Sequence, residues 1–532
     1  MNPTRSLRLR PVITTAAAVG LLWGGASFGQ TPPASGELPA PRPAAKPQPA
    51  AKPDGIPGEP VPITLQAALQ LAQVGNLDIA RGREVIAVAQ ANLLRARAQW
   101  LPSINLGSTY AEHEGQIQKT EGNIITVNKS SLFVGGGPSM VFQTADALFG
   151  PEAARQIEAA SVAGQRRVTN DTLLAVADTY FDLLRARRRV ARLDEVLGHL
   201  TSEQPSPLRG GAKGMLPVAR AFVEAHSKEV LPSDLARVEV EVLRRRDERI
   251  AAIQDFLIIS AGLARLLRLD PAIVLWPTED FRRPLPLPGA TWLERPIEDL
   301  VSFALNNRPE MAENQALVQA AVTRVQNARL RPFLPNVALN YNWGDFGGGP
   351  DLNPSIFIPP AKKGGAVKVI TQPGFTSDDQ IRHFKPRQDF DVTLLWRLQN
   401  MGFGNRAEVR EQEALERNAS LRLLQVRDSV VTQVVQTDAA ARESQRRVGL
   451  TSGSLFDAAG RPGGPVYRSL RLNFALILEA ERRPLEVIDS IRGLNDMLDA
   501  YATDVTDYER ARFRLLVALG LPPGALLDFD HH

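Results

Sequence analysis

Twice in this chain a long helical pattern stops at a Leu-Pro pair and an alternating pattern begins. The first place is Trp100-Leu101-Pro102-Ser103-Ile104 and the second is Phe333-Leu334-Pro335-Asn336-Val337. Proline ends a helix, and the residue before it is pushed toward extended geometry. A chain with two such junctions must place helices on one side of each and strands on the other.

The helical sides share one layout. One copy opens at Ile63-Thr64-Leu65-Gln66-Ala67-Ala68-Leu69, with a Thr cap and a Leu stripe, and breaks at Gly75-Asn76. The other opens at Pro296-Ile297-Glu298-Asp299-Leu300 and breaks at Asn307-Arg308-Pro309. In the helices that follow, Ala89 and Ala96 match Ala321 and Ala328. Small residues at that spacing suit a close helix seam.

Past the junctions the period becomes two. Val337, Leu339, Tyr341 and Trp343 fall on one face, and Ala338, Asn340 and Asn342 on the other. Residues 390–398 alternate likewise, with Asp391, Thr393 and Arg397 on the polar face. Residues 104–110 and 139–143 are weaker candidates, so strands are expected within about 103–144 and 336–399. An outer-membrane barrel wall fits this alternation. So do four half-buried strands of a soluble sheet. The polar segments between the strands read as long loops. One covers 112–130 and Gly135-Gly136-Gly137-Pro138; the other covers 345–388, including Gly347-Gly348-Gly349-Pro350.

Helical patterns resume at Phe149-Gly150-Pro151 and at Phe403-Gly404-Asn405, running to about 200 and 447. Runs of that length extend roughly 60–75 Å. Gly/Pro-rich segments at 205–215 and 453–465 precede returning helices at about 234–267 and 486–516. The expected organisation is a signal peptide over 1–30, a Pro/Ala-rich linker over 31–62, one structural repeat over 63–295, a second over 296–523, and a tail over 524–532. The signal rests on Arg5, Arg8 and Arg10, then an apolar run over 12–23, then Ala26-Ser27-Phe28-Gly29.

No chemistry is written into the chain. It has no cysteine, which excludes disulfides, thiolate metal sites and a Cys nucleophile. The Gly-Gly-Gly-Pro runs and Gly211-Ala212-Lys213-Gly214 lack the phosphate-loop form. Neither H-E-x-x-H nor G-x-S-x-G occurs, so no catalytic, cofactor-binding or metal residue is assigned. A net charge of +4 over 532 residues gives little reason to expect nucleic acid. The basic runs Arg185-Ala186-Arg187-Arg188-Arg189 and Arg244-Arg245-Arg246 read as solvated helix faces with acids nearby.

The duplicated order, the two Ala…Ala…Leu-Pro junctions, the Phe-Gly turns and the helix ends Leu267-Arg268-Leu269-Asp270 and Leu519-Gly520-Leu521-Pro522-Pro523 together resemble the TolC family of outer-membrane efflux proteins. The resemblance covers about 63–523. It implies an α+β, mostly α fold with a duplicated helix–strand–strand–helix–helix unit. Each chain of a homotrimer would give four strands to one transmembrane β-barrel and its long helices to a periplasmic α-helical barrel. It further implies a passive duct in the outer membrane lipid, working with a periplasmic adaptor and an inner-membrane transporter, without a cofactor. On that reading Asp391, Thr393, Arg397, Asn340 and Asn342 face the lumen, and Leu101-Pro102 and Leu334-Pro335 are helix-to-strand junctions. The tips depart from the family, since about thirty residues separate the helices there where relatives have short turns. A soluble periplasmic coiled-coil scaffold with a small β insert is the alternative.

Overall fold

The structure is a computed structural model. It describes residue 56 and residues 59–523, apart from 57–58, 119, 121, 123, 226–229, 280–283, 286–289, 351–354, 359–367, 372–383 and 480–483. The expected signal peptide and tail lie outside the described residues, as does all but the end of the linker.

The helices come in two matched sets. The first is α1 (Leu65–Gly75), α2 (Leu77–Ala98), α3 (Thr144–Thr201), α4 (Met215–Glu224) and α5 (Pro232–Leu266). The second is α6 (Ile297–Asn307), α7 (Pro309–Leu330), α8 (Phe403–Leu455), α9 (Pro465–Leu478) and α10 (Pro484–Ala518). α1 and α6 both have 11 residues, α2 and α7 both have 22, and α5 and α10 both have 35. Local chemistry sets the boundaries. Thr64 Oγ1 accepts from the Ala67 N–H at 3.1 Å to start α1. Asn76 stops α1 and starts α2, its Oδ1 accepting from the Asp78 N–H at 2.8 Å.

α3 is the spine. Its 58 residues give it a length of about 87 Å, and it packs on α2 and α7 and then on α5 and α10. Its first part carries small buried residues, Ala145, Ala153, Ala160 and Ala163, where neighbouring helices approach closely. Ala89, Ala321 and Ala328 are buried in the facing helices, and Ala96 is half-buried. Its second part carries Leu173, Val176, Tyr180, Phe181 and Leu184, the centre of the largest apolar core. There β1 (Val61–Ile63) pairs in parallel with β4 (Leu275–Pro277).

β2 (Ser103–Gln118), β3 (Ile124–Gln143), β5 (Asn336–Pro350) and β8 (Lys385–Leu395) form one antiparallel sheet in that order. β6 (Ser355–Ile358) and β7 (Lys368–Thr371) form a separate hairpin in the β5–β8 connection. Three expectations are corrected. The strands are longer than their alternation: β3 contains Gly135-Gly136-Gly137-Pro138, and β5 contains Gly347-Gly348-Gly349-Pro350, both read as loop. Glycine carries no side-chain pattern, but here backbone approach requires it. A Cβ on Gly136 would lie 1.9 Å from the Asn105 carbonyl oxygen, and one on Gly137 the same distance from that of Tyr341. Second, α3 starts at Thr144, so Pro151 lies inside it. Third, the basic runs are solvated only in part: Arg185, Arg244 and Arg246 are exposed, but each run also turns arginines inward. Arg187, Arg188 and Arg245 are buried, with partners far away in sequence or one turn along the helix.

Candidate channel wall and tip

The register sorts the sheet into two faces. Asn340 lies opposite Ser139 and Asp391, Ala338 opposite Thr393, and Asn342 opposite Asp389. Ser103 lies opposite Ser139, and Asn105 Nδ2 donates to Ser139 Oγ at 2.7 Å. Residues directly opposite share a face. The sequence candidates Asn340, Asn342, Asp391 and Thr393 therefore share one face with Ser103, Asn105, Ser139 and Asp389. The other face carries Ile104, Leu106, Met140, Phe142, Val337, Leu339, Tyr341, Phe390, Val392 and Leu394. Ile104 is 75% exposed and Leu106 is 82% exposed, and among the described residues most of this apolar face is left uncovered. β2 and β8 leave both edges of the sheet unpaired among the described residues.

Arg397 lies outside the sheet. β8 ends at Leu395, and Arg397 sits in the link to α8. The chain must reverse there within a few residues, and Asn400 and Met401 take positive φ of 49° and 58° to do so. Leu394-Leu395-Trp396 already breaks the alternation.

Both junctions meet at one level of the molecule. Leu101-Pro102 joins α2 to β2, and Leu334-Pro335 joins α7 to β5. Thr144 Oγ1 at the start of α3 donates to the Pro335 carbonyl at 2.6 Å. Arg331, just after α7, donates to Gln143 Oε1 at 2.8 Å and to Asp146 Oδ2 at 3.1 Å, and also pairs with Glu408. The aromatic residue of the first junction has a defined task. Pro151 has no N–H, so the Ala147 carbonyl one turn earlier lacks its helical donor. The Trp100 indole N–H supplies it at 3.1 Å. α8 has no proline in its first turns, and the second junction carries Phe333. Trp100→Phe is expected to lower stability by about 1–2 kcal/mol. Adding Pro151→Ala restores the backbone donor and should recover most of the loss; a thermal-melt double-mutant cycle with purely additive effects would contradict this role.

At the opposite end of α3 the two halves close on each other. Val196 and Leu200 of α3, Met215, Val218 and Ala219 of α4, Tyr467, Leu470 and Phe474 of α9, and Val487 and Ile491 of α10 form one core. The thirty-residue tip segments thus each hold a short helix, and each helix buries one face in a shared seam. Ionic bonds run beside it. Burial works to raise the Glu241 carboxyl, but Arg492 and Arg245 hold it below the ordinary range. Arg492 donates to Glu241 Oε2 at 2.7 Å, and Arg245 to Oε1 at 2.9 Å.

His199 sits in this seam at 3% exposure, with neither ring nitrogen partnered among the described residues. Burial, and then the Arg209 charge, push it down to about 4. A histidine below its usual value near 6.5 takes up a proton more readily when its surroundings open. Tip stability is therefore intact above about pH 6.5, falls as the pH drops below that, and levels off below about 4. The loss reaches about 2 kcal/mol at pH 5. His199→Leu should remove this part of the acid sensitivity. Equal shifts of the urea midpoint between pH 8 and pH 5 in wild type and variant would refute it.

No family model and no curated protein matches the chain. Solved structures do. The outer membrane channel CmeC of Campylobacter jejuni is 12% identical, with a TM-score of 0.65, over 86% of this chain and 86% of that one. The outer membrane protein VceC of Vibrio cholerae is 13% identical, with a TM-score of 0.62, over 86% of this chain and 96% of that one. The chain has the fold of outer-membrane channels. A membrane protein from Pseudomonas aeruginosa, 18% identical with a TM-score of 0.64, shares it over 86% of this chain and 93% of its own. The mostly helical α+β architecture read from the junctions is that of this fold. Sequence reasoning missed Ser103, Asn105, Ser139 and Asp389, although their alternation with Ile104, Leu106, Met140 and Phe390 was a usable signal.

Proposed function

We propose that the chain is a passive exit duct of the outer membrane, serving an efflux or secretion system. The observation that carries this reading is the sheet, at the end of long helices in an outer-membrane-channel fold: one mainly polar face, one apolar face and two edges that the described residues leave largely uncovered. Four strands are too few to close a barrel, and an open edge is not tolerated in lipid. Three chains supply twelve strands, so a homotrimer closes the wall. Asn340, Asn342, Asp391 and Thr393 then line the lumen with Ser103, Asn105, Ser139 and Asp389, and the apolar face meets lipid. Leu101-Pro102 and Leu334-Pro335 lie at the membrane boundary. The helices extend into the periplasm, toward an adaptor and an inner-membrane transporter that provides the energy. A signal peptide over 1–30 would direct export.

The chain itself does no chemistry on this account. Hydrated solute or unfolded polypeptide passes along a polar wall. The shared tip core argues that each protomer's tip moves as one body, so the duct opens where protomers meet. The test is conductance across a planar lipid bilayer by the purified full chain. Discrete, long-lived steps are expected. Protein that leaves the membrane in a carbonate wash and gives no steps would support a soluble coiled-coil scaffold instead.

A further inference from the structure

The seam at the tip holds a half-open cavity of about 770 Å³. That is the size of a small-molecule site. One wall is a single face of α3, where Arg188, Arg192, Glu195 and His199 follow one another at helical spacing and Ala191 and Gly198 leave room. Leu498 and Tyr501 of α10 form the opposite wall. Phe456, Tyr467 and the turn carrying Leu208 and Arg209 close the end. The Phe456 and Tyr501 rings stand edge to face, with centroids 5.3 Å apart.

The charges along this cavity are unevenly balanced. Arg188 is held by both oxygens of Glu509, at 2.8 and 2.9 Å. Arg192 reaches Asn495 Oδ1 at 2.7 Å and Asp499 at 3.2 Å. The Tyr467 hydroxyl donates to Glu195. Arg209 differs. It is 5% exposed, and its guanidinium donates only to backbone carbonyls: Gly198 at 3.0 Å, Gln204 at 2.6 Å and Ala212 at 3.1 Å. No carboxylate pairs with it among the described residues. Burial alone accounts for its lowered pKa, with no acid opposing the shift. Next to it stands His199, with both ring nitrogens unpartnered among the described residues. Three carbonyls, one of them in the last turn of α3, partly compensate the guanidinium, but no full negative charge balances it among the described residues, so an anion placed there would be favoured.

We propose that the cavity binds a small organic monoanion with an aromatic body, its carboxylate or sulfonate held at the Arg209–His199 end. The ring lies along Leu208, Phe456, Leu498 and Tyr501. The ligand touches α3 from the first half of the chain and α9, α10 and their approach from the second. It therefore ties the halves together at the tip. The proposal rests on the cavity alone and stands whether or not the chain is a duct.

The test is isothermal titration calorimetry on the full chain in detergent. The probe is 2-naphthoate, and 2-naphthalenemethanol is its uncharged counterpart. Saturable binding of naphthoate is expected, with the alcohol at least about tenfold weaker because the charge is what the site recognises. Arg209→Gln should weaken naphthoate by about tenfold or more. Ala191→Leu fills the cavity without touching its charges and should abolish binding. If Arg209→Gln does not fold, the acid-to-alcohol ratio and Ala191→Leu still decide. Equal binding of acid and alcohol, undiminished binding in Ala191→Leu, or no saturable heat with naphthoate would overturn the proposal.

Discussion

Glu509→Ala is expected to cost about 3–5 kcal/mol and to collapse the yield of folded protein, because it leaves a buried guanidinium without its charge partner. Glu509 is fully buried and grips Arg188 with both oxygens. Its Oε1 also accepts from the Leu285 N–H at 2.9 Å, so one side chain fixes α3, α10 and the segment leading into the second half. Thr506 adds a further bond to Arg188 at 2.8 Å. A domain's whole stability is typically about 5–15 kcal/mol, so this loss is a large share of it. The pair as a unit should matter less than its members. Arg188→Met with Glu509→Leu removes both charges and should regain most of what Glu509→Ala loses. Thermal melts of the wild type and the two variants decide this. A double variant no better than Glu509→Ala would show that hydrogen bonding, not the stranded charge, carries the effect.

The second large effect is at the sheet. Val392→Arg or Leu394→Arg places a charge on the apolar face and should cost about 2–4 kcal/mol of membrane assembly at mid-depth. Thr393→Arg, one residue away on the polar face, should cost far less. The same contrast should hold between Leu339→Arg and Asn340→Arg, because Leu339 lies opposite Val392 and Asn340 opposite Asp391. Yields of sarkosyl-resistant oligomer from outer membranes measure it. Equal losses at neighbouring positions would mean that the two faces are not lipid and lumen.

Much of this architecture was legible in the sequence because its signals are local. The Leu-Pro junctions, the Asn76 break and the period-two runs depend on residues a few positions apart. The alternation placed Asn340, Asn342, Asp391 and Thr393 together, and the pairing of β5 with β8 puts them there. It carried too far at Arg397, since a pattern does not reveal where a strand must turn. The glycine runs were misread because the evidence for them is the approach of a neighbouring backbone. The buried arginines were misread for a related reason: Arg188 and Glu509 are 321 positions apart, and only the packing of α3 on α10 brings them together. The tip seam was hidden in the same way. His199 and Arg209 look ordinary in sequence and become unusual only when α4 and α9 close over them.

The central claim is that β2 of one chain meets β8 of the next around a closed ring. The absence of native cysteine makes this directly measurable. Asn105→Cys in β2 and Asp391→Cys in β8, treated in outer membranes with a short thiol-reactive cross-linker, should give species up to three times the mass of one chain and none larger. Cross-links confined to single chains, no cross-links at all, or a ladder continuing past three would contradict a shared twelve-stranded wall.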